Sequence, residues 1–300
     1  MGLTAIVLSA AAGGGFPQWN CNCEVCRLAW AGDTRVRART QASLAVSVDG
    51  KRWTLLNASP DLRSQIQPTQ RLHPRDDTRG SPLDSVVLTG AQIDQTAGLL
   101  NLRERSPFTL LATAATLAAV AGNPMLGVLA PDLVSLRTIT RGERFALGGG
   151  VKAELFIVPG KVPLYLEGND PDTASESAAN VGVEISDGKT RLAYVPEVAS
   201  VTPALKQRLS RTHVLLFDGT LSTDDEMIRS GIGSKTGHRI GHMPIDGPDG
   251  SIAALEGLSA QRILVHINNT NPILVDGSPE RLRVTGAGWE VAEDGMEIVL

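Results

Sequence analysis

Residues 85 to 100 read Ser85-Val86-Val87-Leu88-Thr89-Gly90-Ala91-Gln92-Ile93-Asp94-Gln95-Thr96-Ala97-Gly98-Leu99-Leu100. A short apolar run ends in Thr-Gly, and helical character follows from Thr96 to about Glu104. A strand that turns into a helix is the repeating unit of α/β folds, and the carboxyl ends of such strands are where these folds place reactive groups. Asp94 stands at that turn. A carboxylate there either caps helix amides or binds a metal, and for this stretch alone the cap is the simpler reading.

The same grammar extends outward in both directions. Asp49-Gly50, Asp187-Gly188 and Asp294-Gly295 each sit between strand-like runs and suit the positive backbone angles of tight hairpins. They predict hairpins joining Ser43–Val48 to Lys51–Asn57, Val181–Ser186 to Thr190–Val195, and Trp289–Glu293 to Met296–Leu300. Thr202-Pro203 reads as an N-cap with proline in the first helical position, opening a helix to about Arg211. His213–Phe217 and Arg262–His266 are buried strands, and Gly168–Ala179 reads as a surface loop. Residues 1–300 are therefore expected to form a single α/β domain with two similar halves, its mixed sheets covered by helices.

Bulk properties narrow the function classes. The chain has 300 residues, 42% of them hydrophobic and 20% charged, with a net charge of −4 and no long basic run. A broad nucleic-acid surface is not expected, because phosphate binding needs clustered positive charge. No apolar stretch approaches the ~20 residues of a membrane-spanning helix. Leu3–Ala12 is apolar but follows no basic residue, so it is expected to be a first buried strand rather than a leader, in a cytoplasmic protein.

Five groupings could carry chemistry. Cys21, Cys23 and Cys26 fall within six positions, poor material for a disulfide framework and good material for zinc, with the fourth ligand open among a remote His, Asp33, Asp61 and water. Asp94 is the second grouping. Asp218, in Leu216-Phe217-Asp218-Gly219-Thr220, ends a buried strand as a turn former or a ligand, and Asp224-Asp225-Glu226 reads as a solvated helix start. His238 and His242 lie in a glycine-rich loop whose spacing fails the phosphate-loop pattern. His266 ends a strand and is followed by Asn268, Asn269, Thr270 and Asn271, which either satisfy a turn or line a site.

Taken together, Gly13-Gly14-Gly15-Phe16-Pro17-Gln18-Trp19-Asn20-Cys21-Asn22-Cys23-x-x-Cys26, Asn57-Ala58-Ser59-Pro60-Asp61, Phe217-Asp218-Gly219-Thr220, Lys235-Thr236-Gly237, Gly241-His242-Met243 and His266-Ile267-Asn268-Asn269-Thr270-Asn271-Pro272 resemble the pyrroloquinoline quinone biosynthesis protein B family. The matching segments run from one end of the chain to the other. The resemblance implies a metallo-β-lactamase-like four-layer αββα sandwich, a structural zinc on Cys21, Cys23 and Cys26, and a second metal site holding iron(II). It implies an iron- and oxygen-dependent hydroxylation of the tyrosine ring of a Glu–Tyr precursor, with other pathway proteins as partners. It also carries an alternative, non-catalytic binding or transport of the quinone or its precursor.

Carried over residue by residue, Asp94, Asp218, His242 and His266 are the catalytic candidates, with Asp94 and His266 as metal ligands. Asn268 and Asn269 are candidates to orient the substrate. The sequence departs from the pattern at Gly90 and Gln95. Of the superfamily's His-x-His-x-Asp-His only Asp94 remains, and Lys161 falls near the position of the superfamily's next histidine. With so few imidazoles a zinc hydrolase is disfavoured. The second site is expected to be degenerate, with His238 as a possible substitute ligand.

Overall fold

The computed structural model describes residues 2–75, 78–168, 172–173 and 175–300. The strands are β1 (Thr4–Ser9), β2 (Ser43–Ser47), β3 (Trp53–Leu56), β4 (Leu83–Val87), β5 (Phe108–Ala112), β6 (Val134–Thr138), β7 (Arg144–Ala146), β8 (Lys152–Pro159), β9 (Glu176–Ser186), β10 (Arg191–Val195), β11 (Val214–Asp218), β12 (Gln261–Val265), β13 (Trp289–Val291) and β14 (Met296–Val299). They form two seven-stranded sheets, ordered β14-β1-β2-β3-β4-β5-β6 and β13-β12-β11-β10-β9-β8-β7.

Alternation along the strands explains the layering. Side chains on a strand point alternately to its two faces. Ala5 and Val7 pack between the sheets, while Ile6 and Leu8 face outward, and both sets are buried. Val214 and Leu216 likewise pack between the sheets, with Leu215 and Phe217 on the outer face of the second sheet. Three apolar clusters result, one between the sheets and one outside each. Leu62, Leu99 and Val120 cover the first sheet from the outside. Leu205, Leu209, Leu255 and Val284 cover the second. This is the helix–sheet–sheet–helix sandwich. Strands buried on both faces read as continuous apolar runs, which is why β4, β11 and β12 were legible as such.

Parallel pairing then fixes where the loops gather. β3, β4, β5 and β6 run parallel in the first sheet, and β10, β11, β12 and β13 in the second. The loop after β4 and the loop after β12 meet across the junction between the sheets, where His266 bonds Asp94.

Four expectations change. Asp294-Gly295 is not a hairpin turn: β13 pairs in the second sheet and β14 in the first, so this turn carries the chain between layers. Its Asp294 is bound by Ser9 and Thr40 instead. The helix after β4 starts earlier than its spacing suggested, with α-helical residues Ile93–Thr96 running into a tighter 3-10 segment, Ala97–Arg103. Asp94 thus lies in the first turn rather than before it. Of the loop expected over Gly168–Ala179, residues 176–179 already belong to β9, and 169–171 and 174 lie outside the described residues. Finally, Glu226 is buried rather than solvated, because Ser222 N–H and Thr270 Oγ1–H both donate to its carboxylate at 2.6 Å.

Candidate metal centre

The cysteine corner is built locally. Cys23 caps the helix Glu24–Trp30, its sulfur accepting the Cys26 N–H. That places the three sulfur atoms within 4.8 Å of one another. Burial pushes the Cys23 thiol up to about 12 and raises Cys26. Burial also opposes ionisation of the half-exposed Cys21, but the Cys23 backbone N–H and neighbouring donors outweigh it and lower its pKa.

Asn269 closes the corner. Its Nδ2 lies 3.0 Å from Cys21 Sγ and 3.3 Å from Cys26 Sγ, while its Oδ1 is buried without a partner. The two ends of an amide are interchangeable in shape. Turned over, this one presents oxygen to three sulfurs, which fits the donor set of a tetrahedral zinc. Neither aspartate weighed for the fourth position takes part: Asp33 is held by Arg35 and Asp61 by Gln41. Asn269 therefore does not face the Asp94 cluster as a substrate-orienting group, and the Asn268 amide is spent on Thr270.

The second cluster draws on distant parts of the chain. Asp218 ends β11, His266 follows β12, and His242 comes from the glycine-rich loop. Their ligand atoms lie within 4.8 Å of one another, all three residues buried. His242 Nδ1 lies 2.6 Å from Asp218 Oδ2. The two imidazoles stack with centroids 5.2 Å apart. His266 holds φ of +56°, a left-handed conformation uncommon for non-glycine residues and typical of sites where surrounding structure dictates the backbone. That turn aims its Nε2 at Asp94 Oδ2, 2.9 Å away in the helix that follows β4 of the other sheet.

Thr220 ties the group together. Its Oγ1 lies 2.7 Å from Asp218 Oδ1, 3.0 Å from His242 Nδ1 and 2.9 Å from His266 Nδ1. Burial works against charge on His266, but the hydrogen bond and charge of Asp94, with Asp218 and Glu197 behind it, push the imidazole up to about 9. Burial likewise opposes ionisation of Asp94 and Asp218, and the imidazoles nevertheless bring both below the usual carboxylate range. Ligation through His266 Nε2 therefore means displacing a proton.

The first-sheet side of the cluster is different. Gln95 does not face the imidazoles as a ligand. Its Oε1 accepts the Gln92 N–H at 3.1 Å, and its Nε2 donates to Glu197 Oε2 at 3.2 Å. Gln92 Nε2 donates to Glu197 Oε1, also at 3.2 Å. Lys161, near the superfamily's further histidine, is buried in an ion pair with Glu167. His238 supplies no replacement: it is exposed and bound to Asp224.

All four predicted catalytic residues are thus brought together, while Asn268, Asn269 and His238 are not part of that cluster. Sequence reading missed Thr220, Glu197 and the use of Gln92. Thr220 follows Asp218 by two positions in a motif already singled out. Glu197 gave one usable sign, a lone carboxylate within the apolar run Ala193–Ala199.

Two sheets whose loops bring buried carboxylates and imidazoles to one junction define the metallo-β-lactamase class of fold. The family described as "Beta-lactamase superfamily domain" matches residues 52–267. A new diphosphatase from the PhnP family shares the fold, with TM-score 0.70 at 20% identity over 99% of this chain and 98% of that one. Within the class, Coenzyme PQQ synthesis protein B of Methylorubrum populi is 52% identical over 296 residues, covering 98% of this chain and 99% of its own. The Ruegeria pomeroyi protein of that name is 53% identical over 295 residues, 98% and 99% of the two chains. The crystal structure of zinc-bound PqqB from Methylobacterium extorquens superposes with TM-score 0.97 at 51% identity, covering 99% of this chain and 100% of that one. The chain belongs to the coenzyme PQQ synthesis protein B family.

Proposed function

We propose that this protein acts in pyrroloquinoline quinone synthesis, in the cytoplasm, holding a structural zinc at Cys21, Cys23, Cys26 and Asn269 and an iron(II) at the Asp94–His266 junction. The reaction is hydroxylation of the tyrosine ring of a Glu–Tyr precursor. The observation that carries the reading is the meeting of Asp94 and His266, from opposite sheets, beside Asp218 and His242. Two imidazoles with carboxylates suit a ferrous ion. When bound, such an ion supplies activation of dioxygen.

The protein's own residues set the conditions. His266 gives up its Nε2 proton to ligate, and Asp94 neutralises the imidazolium until then. Asp218 and Thr220 fix the ring planes of His242 and His266. Burial of the cluster keeps bulk water from the reacting groups.

Anaerobic ferrous iron titration tests the reading. Wild type is expected to take up one iron beyond its zinc. His266→Asn, whose side chain tolerates the left-handed backbone, is expected to lose at least ~100-fold in iron affinity, the upper end of what removing a residue behind the ligands costs. Absence of stoichiometric iron binding in wild type removes the reading. A second reading, carriage of the quinone or its precursor without turnover, is favoured by the diversion of Gln95 from the cluster. Consumption of precursor by the iron-loaded protein in oxygen excludes it.

A further inference from the structure

Gly90, Gln92, Gln95 and Glu197 form one interlocked unit. An added Cβ at Gly90 would lie 2.5 Å from Gln95 Oε1, so the folded-back carboxamide of Gln95 needs a glycine there. That fold lets Gln95 and Gln92 each give one N–H to Glu197, one to either carboxylate oxygen. The Asn180 side chain donates to the Glu197 carbonyl at 3.2 Å, pinning its backbone. Glu197 is 4% exposed. Burial raises the pKa of its carboxyl, and the charges of His242, His266 and Lys161 work against that rise while Asp94 adds to it, so the carboxylate and the cluster are electrostatically linked.

The charge of the cluster makes this unit consequential. Lys161 is matched by Glu167, whose other oxygen lies 3.6 Å from the half-exposed Arg239. Three carboxylates then remain, Asp94, Asp218 and Glu197, facing two imidazoles. With both rings protonated the three carboxylates outnumber them by one, which half-exposed Arg239, left over once Lys161 and Glu167 cancel, offsets at the rim; with the rings neutral, as ligation demands, the ionised carboxylates exceed that charge by two. Uncompensated charge in a low-dielectric interior is costly, and a multivalent cation relieves it.

We propose that Glu197 is a positioning residue of the metal centre, a carboxylate clasped by Gln92 and Gln95 that replaces the missing imidazole side with negative charge and so sets the affinity for a divalent cation. It acts through the field it adds rather than as one of the ligands. The departures from His-x-His-x-Asp-His are, in this view, one exchange: imidazoles that would bind the ion became amides that hold a carboxylate beside it. The inference rests on the metal-centre reading.

Manganese(II), which is redox-silent under these conditions, is the probe, titrated by competition with a metal-sensitive dye. Glu197→Gln is expected to bind it about 10- to 100-fold more weakly than wild type. The exchanged pair Gln95→Glu/Glu197→Gln keeps the charge and the hydrogen-bonded contact with donor and acceptor reversed. It is expected to recover to within about threefold of wild type, and Glu197→Asp, which keeps the charge but falls short of Gln92 and Gln95, is expected to bind manganese more tightly than Glu197→Gln, which a purely structural role for Glu197 does not predict. Thermal unfolding of each variant without manganese checks that the sandwich is intact. Equal affinity in wild type and Glu197→Gln overturns the proposal and leaves the metal centre standing. A wild type that binds no manganese takes down the metal-centre reading and this inference together.

Discussion

The two candidate metal corners are three residues apart at one point and unlike everywhere else. His266 serves the Asp94 cluster and Asn269 serves the cysteines, so a single loop after β12 joins them. The cysteine corner takes its three sulfurs from six consecutive positions, and one short helix cap suffices to gather them. The other corner takes Asp94, Asp218, His242 and His266 from both sheets and forms only when the sandwich closes. Local, soft donors make a clamp that stabilises the loop. Remote, harder donors make a centre whose geometry the whole fold controls, and which evolution can alter from one side while leaving the other intact.

The largest expected effect lies at the clamp. Stripping zinc with a chelator, or replacing Cys26 by Ser, should destabilise the fold by ~4 kcal/mol if the ion is present at about a thousand times its dissociation constant. In a thermal scan that is a fall on the order of 10 °C. The same treatment is expected to weaken binding at the Asp94 cluster only indirectly, through the shared loop. Equal loss at both corners on thiol replacement alone would mean that they are one cooperative unit and the contrast is false.

Next comes the buried acid beneath the joining loop. Glu226 receives Ser222 and Thr270, and Asn268 binds the same Thr270. Burial raises its pKa from 4.5 to about 7. A carboxyl group raised in the folded state stabilises the fold while protonated, and that contribution is present below about pH 4.5 and lost as pH climbs to about 7. The shift corresponds to roughly 3 kcal/mol at full ionisation. Urea unfolding of wild type and Glu226→Gln at pH 5 and pH 8 should therefore diverge. The variant, whose Oε1 accepts the Ser222 N–H while its Nε2 reverses the Thr270 contact by donating to Oγ1, is expected to gain about 2–3 kcal/mol on wild type over that interval. Parallel pH curves would show that Glu226 ionises freely and does not load the joining loop.

The same contrast explains what could be read before the fold was seen. Cys21, Cys23 and Cys26 announced themselves because their spacing is the site. The strands β4, β11 and β12 were plain as apolar runs, and the Thr202-Pro203 cap did open its helix. Asp218 and His266 were suspect because each stands at a strand's end. The grouping of Asp94, Asp218, His242 and His266 came only from the family resemblance, and what escaped were the other contacts between remote segments. Asp294-Gly295 has hairpin chemistry, yet its flanking strands joined different sheets. Glu226 has an exposed-looking neighbourhood in sequence and a buried one in space. Glu197 became meaningful only with Gln92 and Gln95 opposite it.

The smallest expected effect is the most diagnostic. The family resemblance, in which a histidine stands where this chain has Gln95, predicts that Gln95→His restores a missing imidazole and raises iron occupancy. The structure gives Gln95 two other tasks, accepting the Gln92 N–H and donating to Glu197. An imidazole at that position cannot reproduce both with the same reach, and a buried carboxylate losing one donor costs about 1–3 kcal/mol. The single substitution is therefore expected to change iron affinity by less than about threefold while lowering stability by that amount, read by the same anaerobic titration and by urea unfolding. A tenfold or greater gain in affinity would show that the first-sheet side was only missing a ligand. A small change with lost stability would show that it has been rebuilt around a carboxylate, so that imidazoles cannot return there one at a time.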